Sequence, residues 1–373
     1  MVGDDEEGKH FERQTQCLAI GDGVDYEKSD VNPIIGTDML PDGASKVDFR
    51  DPKIWKDENT FYVIVGSRNE DGSGQLLLYS SEDLKQWKYC GVVDKCENRY
   101  GKMWECPDMF PLEGKYVILT SPQDMYAEGL EFHSGNGTLC LIGDFDKEQV
   151  KFERETESAI DYGLDFYASQ TTETKDGRRI MIAWMQSWDN YNTPGEFRWS
   201  GQMTVPRELH IKNDRLYQLP VKELENYYSN TVNYKDVIVH EAMELEGVSG
   251  REIDMTIDIQ AGDYEEFRIQ LAKNQKFYTE ISYNAKKGIL TFDRNHAGSR
   301  RDFICQRSMK VESQDGKIRL RVVMDKYSVE IFANDGEKAM TSLIYTPMDA
   351  DKILFKTDGT AYIDIVKHDV VVE

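Results

Sequence analysis

Along roughly the first 220 residues the apolar positions fall in short runs cut by acidic or Gly-rich turns, without the i, i+3, i+4 recurrence of a helix face. Three of these runs resemble one another: Gln16 to Ile20, Gln75 to Tyr79 and Thr138 to Ile142. Each is a short apolar strand followed by an acidic turn (Gly21-Asp22-Gly23, Ser81-Glu82-Asp83, Gly143-Asp144). An aromatic residue beside charges follows the turn: Tyr26, Trp87 and Phe152. Separations of roughly 60 residues are too long for one hairpin and suit a four-stranded unit with generous loops. Recurrent units of that kind read as propeller blades, with three unrelated sandwich strands as the competing reading.

The pattern changes after Leu219-Pro220-Val221-Lys222-Glu223. All six tryptophans lie at or before Trp199. Beyond the break, apolar and polar residues alternate from Ile253 to Ile259, Phe267 to Leu271 and Ile318 to Val322, and Ser328 to Phe332 leads into the hairpin signal Asn334-Asp335-Gly336. Period-two alternation predicts strands with one buried and one wet face, as in an antiparallel sandwich. The expected fold is therefore all-β, an incomplete five-bladed β-propeller over 1–224 followed by a β-sandwich over 225–373.

Composition narrows the partners. The 373 residues carry 68 acidic against 45 basic side chains, a formal charge of −23, which repels phosphate backbones and anionic headgroups. We expect neither a nucleic acid nor a membrane partner; a neutral sugar pays no such penalty. The first ten residues hold no apolar targeting segment, and no stretch is long enough to cross a bilayer. Six cysteines (Cys17, Cys90, Cys96, Cys106, Cys140, Cys305) lack C-x-x-C spacing, which predicts reduced thiols in a cytoplasmic protein with no metal and no cofactor. On the same ground Asn136-Gly137-Thr138 is expected to stay unglycosylated.

Glycoside cleavage needs two carboxyl groups with different tasks, one to protonate the leaving oxygen and one to attack or stabilise the sugar cation. Glu105 sits between Trp104 and Cys106-Pro107, where partial desolvation would suit a general acid. Asp51 follows Arg50, whose guanidinium would favour the ionised form. Taken alone, Trp-Glu reads as a strand-end carboxylate, and Arg50-Asp51-Pro52 reads equally well as a turn held by a salt bridge.

The combination is more specific. Phe49-Arg50-Asp51-Pro52, Trp104-Glu105-Cys106-Pro107-Asp108, Asp165-Phe166-Tyr167-Ala168, Trp199-Ser200-Gly201 and Pro206-Arg207-Glu208-Leu209 occur in that order. So ordered, the chain resembles glycoside hydrolase family 32, the β-fructosidases that include invertases, sucrose-6-phosphate hydrolases, inulinases and levanases. The resemblance extends to Ser328 to Gly336 near the C-terminus. It implies a five-bladed propeller with a funnel-shaped site, followed by the sandwich, and a fructose-containing sugar as substrate. On matching positions it implies that Glu105 is the general acid/base and Asp51 the transition-state stabiliser. Arg50 would orient the sugar and hold Asp51 ionised, and Tyr167 and Trp199 would line the pocket, against a competing role for both aromatics in blade packing. Asp108, Asp161 and Asp165 read equally well as structural turn acids.

One part of the family pattern has no counterpart. Members begin the first blade with a Trp-Met-Asn-Asp-Pro-Asn-Gly type segment whose aspartate is the nucleophile, and no such segment occurs in this sequence. Asp4, Asp5 and Asp25 lack its framing, and Asp189 lies in the wrong blade. The covalent step of a retaining glycosidase needs that second carboxylate, so we expect impaired hydrolysis, or a non-catalytic binding role, for a truncated chain. Three blades plus a fragment also leave strand edges open. A second copy of the chain, a complementing polypeptide or a rearranged N-terminal segment is expected to cover them.

Overall fold

In the computed structural model, which describes residues 2–4 (backbone only) and 8–372, nearly all regular structure is strand. The helical exceptions among the described residues are two 3-10 turns, Thr37–Met39 and Lys222–Tyr227. Asp5 lies outside the described residues.

Two small ribbons come first, β1 (Val2–Asp4) with β2 (His10–Glu12) and β3 (Ala19–Gly21) with β4 (Tyr26–Lys28). An antiparallel meander follows, β5 (Ala44–Asp57), β6 (Thr60–Asn69), β7 (Gly74–Ser81) and β8 (Lys88–Lys95). A second has the same order: β9 (Met103–Leu112), β10 (Lys115–Gln123), β11 (Leu139–Asp146) and β12 (Lys151–Ser158). The third sheet contains β13 (Tyr167–Glu173), β14 (Arg179–Met185), β15 (Gln202–Met203), β16 (Arg207–Lys212) and β17 (Arg215–Pro220), ordered β13-β14-β16-β17 with β15 beside β14. These are propeller blades in strand count and connection. Of the three similar runs, Gln75 to Tyr79 and Thr138 to Ile142 map to β7 and β11, the third strands of successive blades. The earliest behaves differently, because Gln16 makes one isolated bridge to Ile35 and only Ala19 and Ile20 enter β3.

By compactness the chain divides into two units. The first takes residues up to Ala127, Phe132–Ser158 and Ala168–Gln170; the second takes Glu128–Glu131, Ala159–Tyr167 and Thr171 onward. In the first, Phe49, Val63, Val65, Leu77, Tyr79 and Ile35 form one buried cluster. Trp104 of β9 is fully buried and donates from Nε1 to the Tyr100 carbonyl at 2.7 Å. Its ring lies over Gly74, where an added Cβ would stand 2.6 Å from Cδ1, so only glycine fits. The outer strands of the two blades are joined by Arg154, which forks onto Asp94 at 2.6 and 2.8 Å.

The second unit holds the sandwich, made of β18 (Tyr228–Met243), β19 (Ile253–Gln260), β20 (Glu266–Lys273), β21 (Thr279–Asn284), β22 (Ile289–Asp293), β23 (Gln306–Lys310), β24 (Lys317–Asp325), β25 (Ser328–Ala333), β26 (Lys338–Leu343) and β27 (Lys352–Val370). The long β27 pairs with β20 through Lys352–Thr357 and with β19 through Tyr362–Asp369, so it belongs to both halves of the fold. Ile257, Ile269, Phe292, Leu320, Ile331 and Phe355 are among the residues that fill the core between them. Asn334 and Asp335 turn β25 into β26 with φ of 48° and 57°, as the sequence predicted.

One expectation changes here. The second face of β19 is not wet: Asp254 and Asp258 are buried, because arginines of neighbouring β24 cover them. Arg321 reaches Asp254 at 2.7 Å and Arg319 reaches Asp258 at 2.7 Å. Asp108, Asp161 and Asp165 are all at most 3% exposed; Asp108 lies within β9, and Asp161 and Asp165 lie in the connection between β12 and β13, where Asp161 accepts the Gly163 N–H at 2.8 Å. Asp165 pairs with Arg294 and accepts the Leu343 N–H at 2.8 Å. Asp161 is held by Arg207, itself wholly buried, which also bonds Glu330 at 2.6 Å, Gln218 at 2.6 Å and Thr341 at 2.5 Å. The Pro206-Arg207-Glu208-Leu209 motif is thus a packing element of the second unit.

Arg207→Ala would strand two buried carboxylates, a loss of about 3–5 kcal/mol. Urea unfolding should show it as a lower midpoint; a midpoint equal to wild type would show that the network contributes nothing net.

Candidate active site

The site in the first unit is built from two matching irregularities. On β5 the register steps from Arg50 opposite Gly66 to Lys53 opposite Ile64, so Asp51 and Pro52 face the single residue Val65. On β9 it steps from Glu105 opposite Ser121 to Asp108 opposite Leu119, so Cys106 and Pro107 face Thr120. Both are β-bulges, and in both the extra pair ends in proline, which has no N–H to give the ladder. The residue before each proline takes a left-handed backbone, φ 62° at Asp51 and 49° at Cys106. Ala168 on β13 repeats it with φ 54° and no proline. Such a conformation costs roughly 1–2 kcal/mol at a residue with a Cβ, and it re-aims the side chains on either side.

What the bulges aim is a carboxylate cluster. Asp51 Oδ2 accepts the Cys106 backbone N–H at 3.0 Å and lies 3.6 Å from its thiol. Arg50 Nε donates to Glu105 Oε1 at 2.9 Å, with Nη2 at 2.8 Å from the same oxygen. Arg50 Nη1 donates to Asp48 Oδ1 at 2.9 Å and to Gln14 at 3.3 Å; Nη2 donates to Gln123 at 3.4 Å. Arg68 closes the chain on the other Asp48 oxygen at 2.7 Å. Burial pulls the Arg50 guanidinium towards deprotonation, but the hydrogen bonds it donates to Asp48 and Glu105 outweigh this and leave its pKa above the ordinary arginine value. The blades come this close because residue 66 is glycine, where a Cβ would stand 2.2 Å from the Trp104 carbonyl oxygen.

A second layer fixes the backbone. Thr120 donates to the Glu105 carbonyl at 2.9 Å, Gln170 Nε2 to the Cys106 carbonyl at 3.0 Å, and Lys53 bridges Gln170 at 3.1 Å and buried Asp108 at 3.2 Å. Burial first, then the Asp51 carboxylate, push the Cys106 thiol far above its usual pKa.

Sequence reasoning placed Asp51, Arg50 and Glu105 together, and they are together. Two details differ. Arg50 grips Glu105 and Asp48, whereas Asp51 is bound by Cys106; and Trp104 points away from Glu105, since neighbours on a strand face opposite sides. Tyr167 and Trp199 belong to the second unit. Tyr167 is buried at the start of β13, and Trp199 is exposed, its ring 5.2 Å from Phe197 and 6.0 Å from Tyr327. Asp48, Gln14, Gln123 and Gln170 were missed; only the Asp48-Phe49-Arg50 spacing, which sets two side chains on one strand face, could have pointed to the first. No cluster of three or more metal-binding side chains occurs among the described residues, and no helix among them is long and apolar enough to cross a membrane.

Comparison with known proteins gives the same reading over both units. Residues 2–220 match the Glycosyl hydrolases family 32 N-terminal domain, and residues 223–371 match the Glycosyl hydrolases family 32 C terminal domain. The chain is 31% identical over 358 residues to the sucrose-6-phosphate hydrolase of Escherichia coli, covering 94% of this chain and 71% of that one. It is 32% identical over 326 residues to the Staphylococcus xylosus protein of the same name, covering 86% of this chain and 65% of that one. It therefore spans about two thirds of the length of these relatives. Among solved structures, a β-fructofuranosidase of Bombyx mori superposes with a TM-score of 0.82 at 28% identity, over 99% of this chain and 75% of that one.

The thiols offer a probe of the cluster. All six cysteines are free, Cys17 exposed and Cys106 half-buried. Timed alkylation at pH 8 should label Cys17 first and leave Cys106 at least about tenfold slower, since the thiolate is the reactive form. Asp51→Ala should quicken labelling of Cys106; an unchanged rate would mean that the carboxylate does not hold the thiol.

Proposed function

The chain belongs to family 32 of the glycosyl hydrolases, and from that premise we propose that the Asp51–Glu105 cluster binds the fructosyl unit of a β-fructofuranoside: sucrose, sucrose 6-phosphate or a fructan. The observation that carries the reading is the pair of proline bulges, which sets Asp51 of one blade on the Cys106 N–H of the next and brings Arg50 onto the neighbouring Glu105. In this reading Glu105 is the general acid/base at the glycosidic oxygen, and Asp51 accepts hydrogen bonds from fructosyl hydroxyls that strengthen as charge develops on the ring. The names of the relatives support the substrate class. Arg50 orients Glu105 while remaining within reach of the sugar.

A full double displacement at this cluster needs a nucleophilic carboxylate in addition to the Glu105 and Asp51 roles proposed for it. We place the division between the two domains at 224 and 225, a placing supported by the change of sequence pattern there and by its nearness to the point where one family match ends, at 220, and the other begins, at 223.

Fructose release from sucrose and from inulin checks the assignment. Any release by the purified chain should fall at least about a hundredfold in Glu105→Gln, the scale of a lost general acid. Release that persists unchanged would remove Glu105 from the chemistry. Calorimetric titration with fructose should show binding in wild type and its loss in Asp51→Ala, whereas equal affinities would remove Asp51 from the pocket.

A further inference from the structure

The second unit carries a cavity of about 810 Å³ that shares no residue with the Asp51–Glu105 cluster. It is formed where four segments gather: 192–196, the β20–β21 turn at Lys276 and Phe277, the β22–β23 loop from Arg294 to Phe303, and 343–347 after β26. The volume lies in the range of small-ligand sites, roughly 300–1,000 Å³.

Its charge is opposite to that of the molecule. On a chain of net charge −23, Lys276, Arg294, Arg300 and Arg301 all line this one cavity, against Glu196 as its one acidic lining residue. Arg294 is neutralised from below by Asp165. Lys276, Arg300 and Arg301 form no ion pair among the described residues, although salt bridges occupy a large share of the other basic side chains, Arg154, Arg178, Arg207, Arg319 and Arg321 among them. Lys276, whose ammonium lies 5.1 Å from the centre of the Phe277 ring, Arg300 and Arg301 repel one another around a concavity, an arrangement that an anion relieves. The loop adds neutral donors: the amides of Gly298, Ser299 and Arg300 donate to nothing among the described residues, with Gly298 turned to φ 97°. Phe277, Phe303 and Tyr345 also line the cavity, with Lys276 over the Phe277 ring and Arg294 over the Phe303 ring; aromatic rings of this kind are the surface against which a sugar ring packs.

We propose that this cavity is a second ligand site, one that binds a phosphate monoester of mono- or disaccharide size. Arg300, Arg301 and Lys276 take the phosphate, and the aromatic wall takes the carbon skeleton. A doubly charged tetrahedral group can accept from two guanidinium forks and an ammonium at once, while a neutral sugar would leave the cations unpaired. The proposal does not rest on the fructoside reading, since none of its residues takes part in that cluster.

Isothermal titration of the whole chain with inorganic phosphate, fructose 6-phosphate and fructose tests it, in wild type, Arg300→Ser/Arg301→Ser and Asp51→Ala. Both arginines are exposed loop residues, and an unchanged thermal midpoint confirms that the double variant is folded. Affinity for both phosphate compounds should fall at least about tenfold in the double variant, as expected for loss of charge-assisted hydrogen bonds, and persist in Asp51→Ala. Tighter binding of the ester than of inorganic phosphate supports the wall as a sugar subsite; equal binding assigns the site to the phosphate group alone and overturns that part. No saturable binding of either phosphate, or equal affinity in the double variant, overturns the site. Should binding instead be lost in Asp51→Ala and retained in the double variant, the anion is bound by the fructoside cluster and the second site does not exist.

Discussion

The fork of Arg50 is the contact on which the candidate site depends. It joins Asp48 on its own strand to Glu105 on the next blade, and an arginine that cannot lose its charge keeps both carboxylates in place. Gly66 lets the strands approach, Trp104 over Gly74 fixes the depth of β9, and Arg154 on Asp94 ties the outer edges. Removing Arg50 takes a hydrogen bond from Asp48 and from Glu105 at once. The two left-handed residues, each costing about 1–2 kcal/mol, are tolerated because the strand ladders on both sides of each bulge over-determine the backbone.

The second unit uses the same device for a different end. Arg207 and Arg294 are buried cations whose partners, Asp161, Glu330 and Asp165, come from distant parts of the sequence. Here the charges are sealed: Arg207 is bonded through all three nitrogens, and Arg294 is paired through Nη1 although its Nε has no partner among the described residues, so they specify packing. In the Asp51–Glu105 cluster Asp48, Arg50 and Glu105 keep between 12% and 23% of their side-chain surface exposed, enough for a solute to compete for them. That difference in access separates the structural arginine of one motif from the site arginine of another.

Much of this was legible in the sequence. Period-two alternation gave the sandwich strands, Asn334-Asp335-Gly336 gave its hairpin, and the strand, acidic turn and aromatic sequence gave β7 and β11. The ordered motifs gave Asp51, Arg50 and Glu105. What was not legible depends on pairing across strands. Asp254 and Asp258 looked solvent-facing because alternation does not reveal which arginine stands on the neighbouring strand. Arg50 looked like the partner of Asp51 because the two are adjacent, yet the β5 bulge begins at Asp51 and sets its carboxylate on the Cys106 N–H, while Arg50 forks onto Asp48 and Glu105. The bulges themselves had a visible sign: Asp51-Pro52 and Cys106-Pro107 each place a proline inside a strand, which a regular ladder does not accommodate.

A crystal of the protein soaked with fructose tests directly whether Asp51 and Glu105 form one fructosyl-binding site. Density is expected for a furanose ring with hydroxyls within hydrogen-bond distance of the Asp51 carboxylate and with its anomeric carbon facing Glu105. Density for the sugar only at other positions, with the Asp51–Cys106 and Arg50–Glu105 contacts closed as they are without it, would contradict the claim.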